Sequence, residues 1–273
     1  QWLRNGRRGT FAMATGTGKT VTALAAATVT SKMTADRGQA LLVLVVVPLI
    51  DLAEQWRESA EEFGFRPGIW YGESSKAERE RVHRSFHLAR TSLEPRAEMV
   101  ITTADSLTPS GRSDPARHEL QSWLSRYDGN LLVIGDEVHS LGTPARLAAL
   151  PRSEGNRDRL FTLGLSATPK RHMDDVGTDA LLAYFGEPLA KIDIKEAIRL
   201  GALVKYRYFP RFVDLTGEEA DEYRKLSALI ARAIAAGNDE ARDRAIRSRS
   251  RLVQHASGKM AELRSVLEEI EDR

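Results

Sequence analysis

The hydrophobic residues are concentrated in short, nearly continuous runs, and the stretches between these runs carry apolar residues at helical spacing. Unbroken runs rich in valine, isoleucine and leucine are typical of strands buried on both faces of a parallel sheet. Such runs predict strands at 9–12, 40–47, 99–103, 131–134 and 160–165, with a short candidate at 68–71. The other segments predict helices at 1–4, 20–32, 49–63, 75–90, 118–127, 178–185 and 195–200.

Strands that alternate with helices indicate βαβ units, so the predicted fold class is α/β, a parallel sheet with helices on both faces. Residues 203–212 alternate between apolar and polar positions, which predicts a last strand. From Gly217 onward the chain is highly charged and helical in pattern. We therefore place a boundary near Asp214, giving a domain at 1–214 and a helical C-terminal extension at 215–273.

A glycine-rich segment lies between the first predicted strand and the first long helix. In this context backbone N–H groups at the start of a helix can bind phosphates. Lys19 would reach the β- and γ-phosphates, and the Thr20 hydroxyl would bind Mg²⁺. Met13 stands where the full phosphate-loop pattern has glycine, and an ordinary turn before a helix is the alternative. The predicted nucleotide-binding residues are Thr15, Gly16, Thr17, Gly18, Lys19 and Thr20.

Two acidic residues, Asp136 and Glu137, directly follow the buried run at 131–134. In an open parallel sheet, ligands bind outside the carboxyl ends of the strands, which is also where the phosphate loop would lie. Asp136 would hold Mg²⁺ through water, and Glu137 would polarise the attacking water. The alternative interpretation is a pair of solvated acids at a strand end.

Three further polar residues occupy the same predicted edge. His139 is two positions beyond Glu137, while Ser166 and Thr168 follow the strand at 160–165. A single histidine is more often a structural hydrogen-bonding group than a catalytic one, so we assign His139 no role as a proton donor.

Composition narrows the class of protein. Hydrophobic residues make up 42% and charged residues 29% of the chain, as in ordinary globular proteins. The absence of cysteine excludes disulfides and thiolate zinc sites, and fits a cytoplasmic protein. The longest apolar run, 40–50, is too short for a membrane helix, so no membrane partner is expected. A net charge of +2 does not by itself indicate a nucleic-acid partner.

The order of the motifs resembles motifs I, Ia, Ic, II and III of superfamily 2 helicases and translocases, over about residues 9–212. The branch it resembles is DEAD/DEAH-like (DExH), which includes type III Res-like restriction-enzyme motor subunits and XPB-like repair helicases. The matching segments are GTGKT (16–20), VVVPLIDLAEQW (45–56), ITTADSL (101–107), DEVH (136–139) and LSATP (165–169).

This resemblance implies a RecA-like domain that couples ATP hydrolysis, with Mg²⁺ as cofactor, to movement along a nucleic acid, for which DNA is expected. It implies catalytic roles for Lys19, Asp136 and Glu137. His139, Ser166 and Thr168 would couple nucleotide state to a second motor domain. Contacts to the nucleic-acid backbone are implied for Pro48, Leu49, Thr102 and Thr103.

Nothing after Asp214 resembles motifs IV to VI, which include the arginine finger, and the tail resembles a helical connector. We therefore expect this chain to be part of a longer protein, to need a second RecA-like domain as partner, and to be nearly inactive alone. Two alternative functions remain open at this point. One is a nucleotide-gated nucleic-acid clamp that does not unwind, and the other is the motor part of a restriction nuclease.

Overall fold

A seven-stranded parallel sheet is formed by described residues between Arg8 and Ile192. The computed structural model describes residues 1–72, 74–91, 96–108, 115–152, 159–171 and 174–271. The order of strands across the sheet is β3-β4-β2-β5-β6-β1-β7, and every described pair is parallel, as predicted. The strands are β1 (Arg8–Met13), β2 (Leu41–Val47), β3 (Gly68–Trp70), β4 (Ala97–Thr103), β5 (Asn130–Gly135), β6 (Leu160–Ser166) and β7 (Pro188–Ile192).

Helices connect the strands and continue beyond the sheet. In the described part of the chain, no helix combines the length and apolarity needed to cross a membrane. A 3₁₀ turn spans Val138–Leu141. The α-helices are α1 (Lys19–Ala35), α2 (Ile50–Glu62), α3 (Lys76–Thr91), α4 (Ala104–Leu107), α5 (Pro115–Ser125), α6 (Pro144–Ala149), α7 (Asp175–Phe185), α8 (Ile194–Arg199), α9 (Gly217–Ala235), α10 (Asp239–Gln254) and α11 (Gly258–Glu271).

The sheet is covered on both faces, and β2 at its centre illustrates why. All seven residues of β2 are fully buried, because successive side chains point to opposite faces and both faces are packed. Leu42, Leu44 and Val46 join a core with α3, α5 and α7. The remaining β2 side chains join a second core with α1 and α2. The predicted α/β architecture with helices on both faces is confirmed.

The strand register fixes which residues share the carboxyl edge of the sheet. Ala12 of β1 pairs with Ser166 of β6, and Gly135 of β5 pairs with Gly164 of β6. On the other side of β5, the amide of Asp136 extends the pairing with β2 by donating to the carbonyl of Val46, at 2.8 Å. The segments that follow β1, β5 and β6 therefore emerge side by side.

Several elements differ from the prediction, among them the short helices α4 and α6, which were not predicted. Residues 2–7 form turns rather than a helix, and the indole of Trp2 donates to the carbonyl of Thr162 in β6 at 2.9 Å. The strand β7 was not predicted, since its five residues include an initial proline and a lysine. The predicted strand at 203–212 is wrong, because a strand needs a neighbour and no described strand pairs with these residues.

The chain divides into two compact units, Gln1–Lys205 and Tyr206–Arg273. The second unit contains α9, α10 and α11. Glu219 forms a capping box with Thr216 at the start of α9 and also accepts from the amide of Ser257, at 2.8 Å. The N–H groups of Ser257 and Thr216 lower the pKa of the Glu219 carboxyl. Its described buried residues are few, namely Ile230, Ala233, Ala245 and Ala256.

Candidate nucleotide-binding and hydrolysis site

The phosphate loop connects β1 to α1 and is shaped by two glycines with left-handed backbone. Gly16 has φ 81° and Gly18 has φ 82°, values that favour glycine over other residues. A Cβ at Gly16 would also lie 3.1 Å from Cδ2 of Leu203, so that side chain would have to shift slightly to admit one. Thr17 closes the loop by donating from its hydroxyl to the carbonyl of Ala14, at 2.6 Å.

Lys19 connects the phosphate loop to the acidic pair after β5. Its Nζ donates to the carbonyl of Met13 at 3.2 Å and lies 3.7 Å from Oε1 of Glu137. The Lys19 side chain is only 10% exposed and that of Glu137 28%, so the ion pair is partly shielded from water. The structure thus brings together two of the three residues predicted to be catalytic.

Asp136, the third of these, is buried at the end of β5. Its Oδ2 accepts from the indole N–H of Trp56 in α2 at 2.8 Å, and its Oδ1 accepts from the amide of Glu137 at 2.9 Å. Glu137 itself has φ 44°, which is uncommon for a residue with a side chain. The sharp turn after Asp136 directs the Glu137 carboxylate toward Lys19.

The residues predicted to couple nucleotide state to a second motor domain also lie together. Nδ1 of His139 is 3.1 Å from Oγ of Ser166 and 3.4 Å from Oε2 of Glu137. The Ser166 hydroxyl accepts from the amide of Thr168 at 3.1 Å. Lys19, Glu137, His139, Ser166 and Thr168 therefore form one continuous series of contacts along the carboxyl edge of β1, β5 and β6.

The polar groups of the site fit Mg²⁺ held mainly by phosphate and water. The described residues contain no group of three or more His, Cys, Asp or Glu side chains that could bind a metal unaided. Mg²⁺ typically keeps several waters and takes one or two carboxylates together with substrate phosphates. Asp136 and the Thr20 hydroxyl, in the first turn of α1, are a ligand set of that kind.

Of the four residues predicted to contact nucleic acid, Pro48 and Leu49 follow β2, and Thr102 and Thr103 are the last two residues of β4. Pro48 and Leu49 lie before α2, and Leu49 is 62% exposed. The Thr102 side chain, in contrast, is buried and donates to the carbonyl of Trp70 at 2.8 Å. Thr103 caps α4 by accepting from the amide of Ser106, at 3.2 Å. Both threonine hydroxyls are therefore used inside the chain in this conformation.

Three residues of the site were missed from the sequence. Trp56 was assigned only to the apolar face of a helix, although its indole N–H binds Asp136. Arg146 and Arg171 donate to backbone carbonyls of the 3₁₀ turn, which are Ser140 and His139 respectively. A tryptophan or arginine carries no sequence signal for such contacts, because they depend on three-dimensional packing.

Two cavities lie away from this site, beside residues that begin the strands. One has a volume of about 510 Å³ and is lined by Arg8, Leu160 and Tyr184 among others. The second has a volume of about 580 Å³ and is lined by Tyr127, Leu131 and Arg159 among others. Since ligands of parallel sheets bind at the opposite, carboxyl edge, the phosphate loop is the better candidate.

The fold and the ordered motifs along one sheet edge define a RecA-like motor domain of a superfamily 2 helicase or translocase. The family model for the res subunit of type III restriction enzymes matches residues 1–171. The chain belongs to this family.

Similar proteins agree with this class. The DNA 3'-5' translocase XPB2 of Sulfurisphaera tokodaii is 28% identical over 228 residues, which are 81% of this chain and 40% of the relative. The Hef helicase domain of Pyrococcus furiosus has a TM-score of 0.52 at 19% identity, over 85% of this chain and 45% of that chain. A nuclease-deletion mutant of the Type ISP restriction-modification enzyme LlaGI, in complex with a DNA substrate mimic, has a TM-score of 0.50 at 18% identity, over 86% of this chain and 21% of that chain.

Proposed function

We propose that this chain is the first motor domain of an ATP-dependent DNA translocase or helicase. The observation that carries the proposal is the contact series from Lys19 through Glu137 and His139 to Ser166. It unites the phosphate loop, the acidic pair and the Ser-Ala-Thr segment at one edge of the sheet. The chain covers 40% of the length of XPB2. The similarity therefore does not by itself establish an activity of the whole protein, and that activity is proposed here.

In this proposal the phosphate loop binds the triphosphate of ATP through its N–H groups, and Lys19 neutralises the outer phosphates. Asp136 and Thr20 would hold Mg²⁺, which when bound neutralises charge on the phosphates. Glu137 orients the attacking water and polarises it. The 3.7 Å contact between Lys19 and Glu137 supports these roles, because it places a cation for phosphate and a base for water side by side.

We propose that the residues next to Glu137 couple nucleotide state to a second motor domain. His139 contacts both Glu137 and Ser166, while Thr168 is exposed beyond Ser166. A change at the γ-phosphate that moves Glu137 would therefore also move His139 and Ser166, and with them the exposed segment at Thr168. That segment is a suitable surface for a second motor domain to sense.

For nucleic acid, the start of α2 has the most favourable groups. Leu49 is the N-cap residue and is exposed, and it has no side-chain oxygen to accept from the first N–H groups of the helix. Those N–H groups can donate to phosphate. Because the hydroxyls of Thr102 and Thr103 form hydrogen bonds within the chain, we propose that they hold the adjacent loop in place rather than contact phosphate.

The second unit supports the proposal of a second motor domain. Residues 206–212 alternate like a strand yet expose aromatic side chains, with Tyr208 80% and Phe212 91% exposed. In α11 an apolar stripe at helical spacing is exposed as well, formed by Met260, Leu263, Leu267 and Ile270. Such surfaces are typical of segments that pack against a partner.

DNA-stimulated ATP hydrolysis by the full-length protein is the direct test of this function. Each phosphate contact adds about 0.9 to the slope of log affinity against log salt for duplex DNA. Contacts to about three phosphates should therefore lower DNA affinity more than tenfold between about 50 and 200 mM salt. Fluorescence anisotropy with duplexes of unrelated sequence measures this. Sequence-selective, salt-insensitive binding would contradict backbone contacts, and stimulation without strand displacement or translocation would favour the clamp.

The Trp56–Asp136 hydrogen bond provides a second test. Trp56→Phe keeps an aromatic ring but removes the N–H, leaving Oδ2 of Asp136 without its buried donor. Hydrogen bonds to charged groups are worth about 1.5–3 kcal/mol, so the free energy of unfolding should fall by about that amount. Binding of a fluorescent ATP analogue should also require more Mg²⁺, because Asp136 is less well held.

Trp2→Phe is the matched control for this change. Trp2 is also buried and donates its indole N–H to an oxygen, the carbonyl of Thr162, but it lies at the start of the sheet. The Trp2→Phe variant should have a lower free energy of unfolding, but binding of the ATP analogue should require the same Mg²⁺ concentration as in the natural chain. An equal shift of Mg²⁺ dependence in both variants would rule out a specific role for Trp56.

A further inference from the structure

The 3₁₀ turn at Val138–Leu141, directly after Glu137, is held by arginines from two sides. Nη1 of Arg171, in the segment after β6, donates to the carbonyl of His139. Nη1 of Arg146, in α6, donates to the next carbonyl, that of Ser140, at 2.7 Å. Charge-assisted bonds of this kind are stronger than neutral ones, and here they hold consecutive peptide groups.

Each arginine is itself fixed by a carboxylate. Nε of Arg171 donates to Oδ2 of Asp174 at 2.6 Å, and Asp174 caps α7 by accepting from the amide of Gly177 at 2.8 Å. That amide, followed by Arg171, lowers the pKa of the Asp174 carboxyl. Nη2 of Arg146 donates to Asp105 of α4 at 2.6 Å.

Two glycines leave room for Arg171. A Cβ at Gly142 would overlap the Cδ of Arg171, although Gly142 has φ −75°, a value that alanine adopts readily. A Cβ at Gly177 would overlap Asp174 and lie 2.8 Å from Nε of Arg171. Neither glycine is needed for its backbone conformation. A side chain at Gly142 would require Arg171 to move, and one at Gly177 would require both Asp174 and Arg171 to move.

We propose that Arg146 and Arg171 are positioning residues that fix the turn after Glu137 in the geometry required for hydrolysis. The turn carries His139, and its first residue follows the left-handed Glu137, so its position sets the direction of the Glu137 carboxylate. Arg171 joins the turn to α7, and Arg146 joins it to α4, which begins where β4 ends. This inference rests on the proposed function, because it assigns the arginines to the same hydrolysis site.

Steady-state ATPase assays of the full-length protein test this role. Arg171→Ala and Arg146→Ala should each lower kcat about 10- to 100-fold, as for other groups that orient a catalytic centre. The KM for ATP should stay nearly constant, because phosphate binding depends on the loop at 15–20. Arg159→Ala is the matched control, since Arg159 also donates to a carbonyl, that of Asp128, at the far edge of the sheet. An unchanged kcat in both test variants, or an equal loss in the control, would overturn the proposal.

A double-mutant cycle with Gly142→Ala isolates the Arg171 contact. In the natural background this change should displace Arg171 and lower kcat nearly as much as Arg171→Ala. In the Arg171→Ala background the obstructing side chain is gone, so Gly142→Ala should have little further effect. Additive losses would mean that Gly142 acts independently of the arginine and would contradict the positioning role of the Arg171 contact.

Hydrogen exchange separates this inference from the proposed function. In residues 1–273 without nucleotide, the amides of 138–142 should exchange faster in Arg171→Ala and Arg146→Ala than in the natural chain or in Arg159→Ala. If the full-length protein hydrolyses no ATP, the proposed function fails, and the catalytic role of the arginines fails with it, even where exchange confirms the contacts. If hydrolysis is normal and exchange at 138–142 is unchanged, the positioning role alone is wrong.

Discussion

Replacement of Glu137 by glutamine should leave ATP binding intact and slow hydrolysis by about 10²- to 10⁴-fold in the full-length protein, the usual contribution of a general base. This range corresponds to about 3–5 kcal/mol of activation free energy. Glutamine has the size and shape of glutamate but cannot accept the proton of the attacking water. Binding should persist because the phosphates are bound by the loop at 15–20 and by Lys19, which are unchanged.

The contact between Lys19 and Glu137 sharpens this expectation. With the carboxylate neutralised, Lys19 loses its partner at 3.7 Å and becomes more available to phosphate, so ATP affinity should be equal or higher. Equilibrium binding of a fluorescent ATP analogue and single-turnover hydrolysis measure the two effects separately. Glu119→Gln, an exposed position in α5, is the control and should change neither. Loss of nucleotide binding in Glu137→Gln would mean that the residue holds the nucleotide rather than the water.

The sheet and the site edge were predictable because their signals are local and dense. The run at 40–47 is so continuously apolar that only a strand covered on both faces satisfies it, and Leu41–Val47 is fully buried. The acidic pair could be located because parallel strands present all their carboxyl ends at one edge. Because the phosphate loop also follows a strand of this sheet, it was expected at the same edge.

The contacts that hold the site could not be predicted in the same way. Trp56 occupies an apolar helical position, and packing accounts for it completely until Asp136 is found 2.8 Å from its indole nitrogen. Arg171 and Arg146 bind backbone carbonyls, which every residue possesses, so no pairing of side-chain types reveals these contacts. Such contacts can be identified only once the packed three-dimensional structure is known.

The segment at 203–212 failed as a prediction for a different reason. Its alternation satisfies the local requirement for a strand, but a strand is stable only when a neighbour accepts its hydrogen bonds. The described sheet ends at β7 on one side and β3 on the other, and neither pairs with this segment. The local pattern therefore indicates only that the segment can form a strand. Whether it does so depends on a neighbouring strand with which it can pair.

The largest effect expected of any comparison concerns residues 1–273 alone. We predict that they bind Mg·ATP but hydrolyse it about 10³- to 10⁵-fold more slowly than the full-length protein with DNA, which is the contribution of an arginine finger in phosphoryl transfer. This is about 4–7 kcal/mol of activation free energy. In the described residues the Glu137 carboxylate contacts Lys19 and His139, which serve phosphate binding and coupling in our proposal. A second motor domain would supply the arginine.

Steady-state hydrolysis by residues 1–273 and by the full-length protein, each with and without duplex DNA, measures this difference. Hydrogen exchange at 206–213 gives a second measurement, because a partner sheet that pairs with this segment should slow exchange in the full-length protein only. Strong DNA-stimulated turnover by residues 1–273 would mean that the site is complete without a second domain. Slow turnover in both proteins would instead contradict the motor function itself. A rate difference accompanied by protection of 206–213 would support both the missing arginine and the surface through which its domain docks.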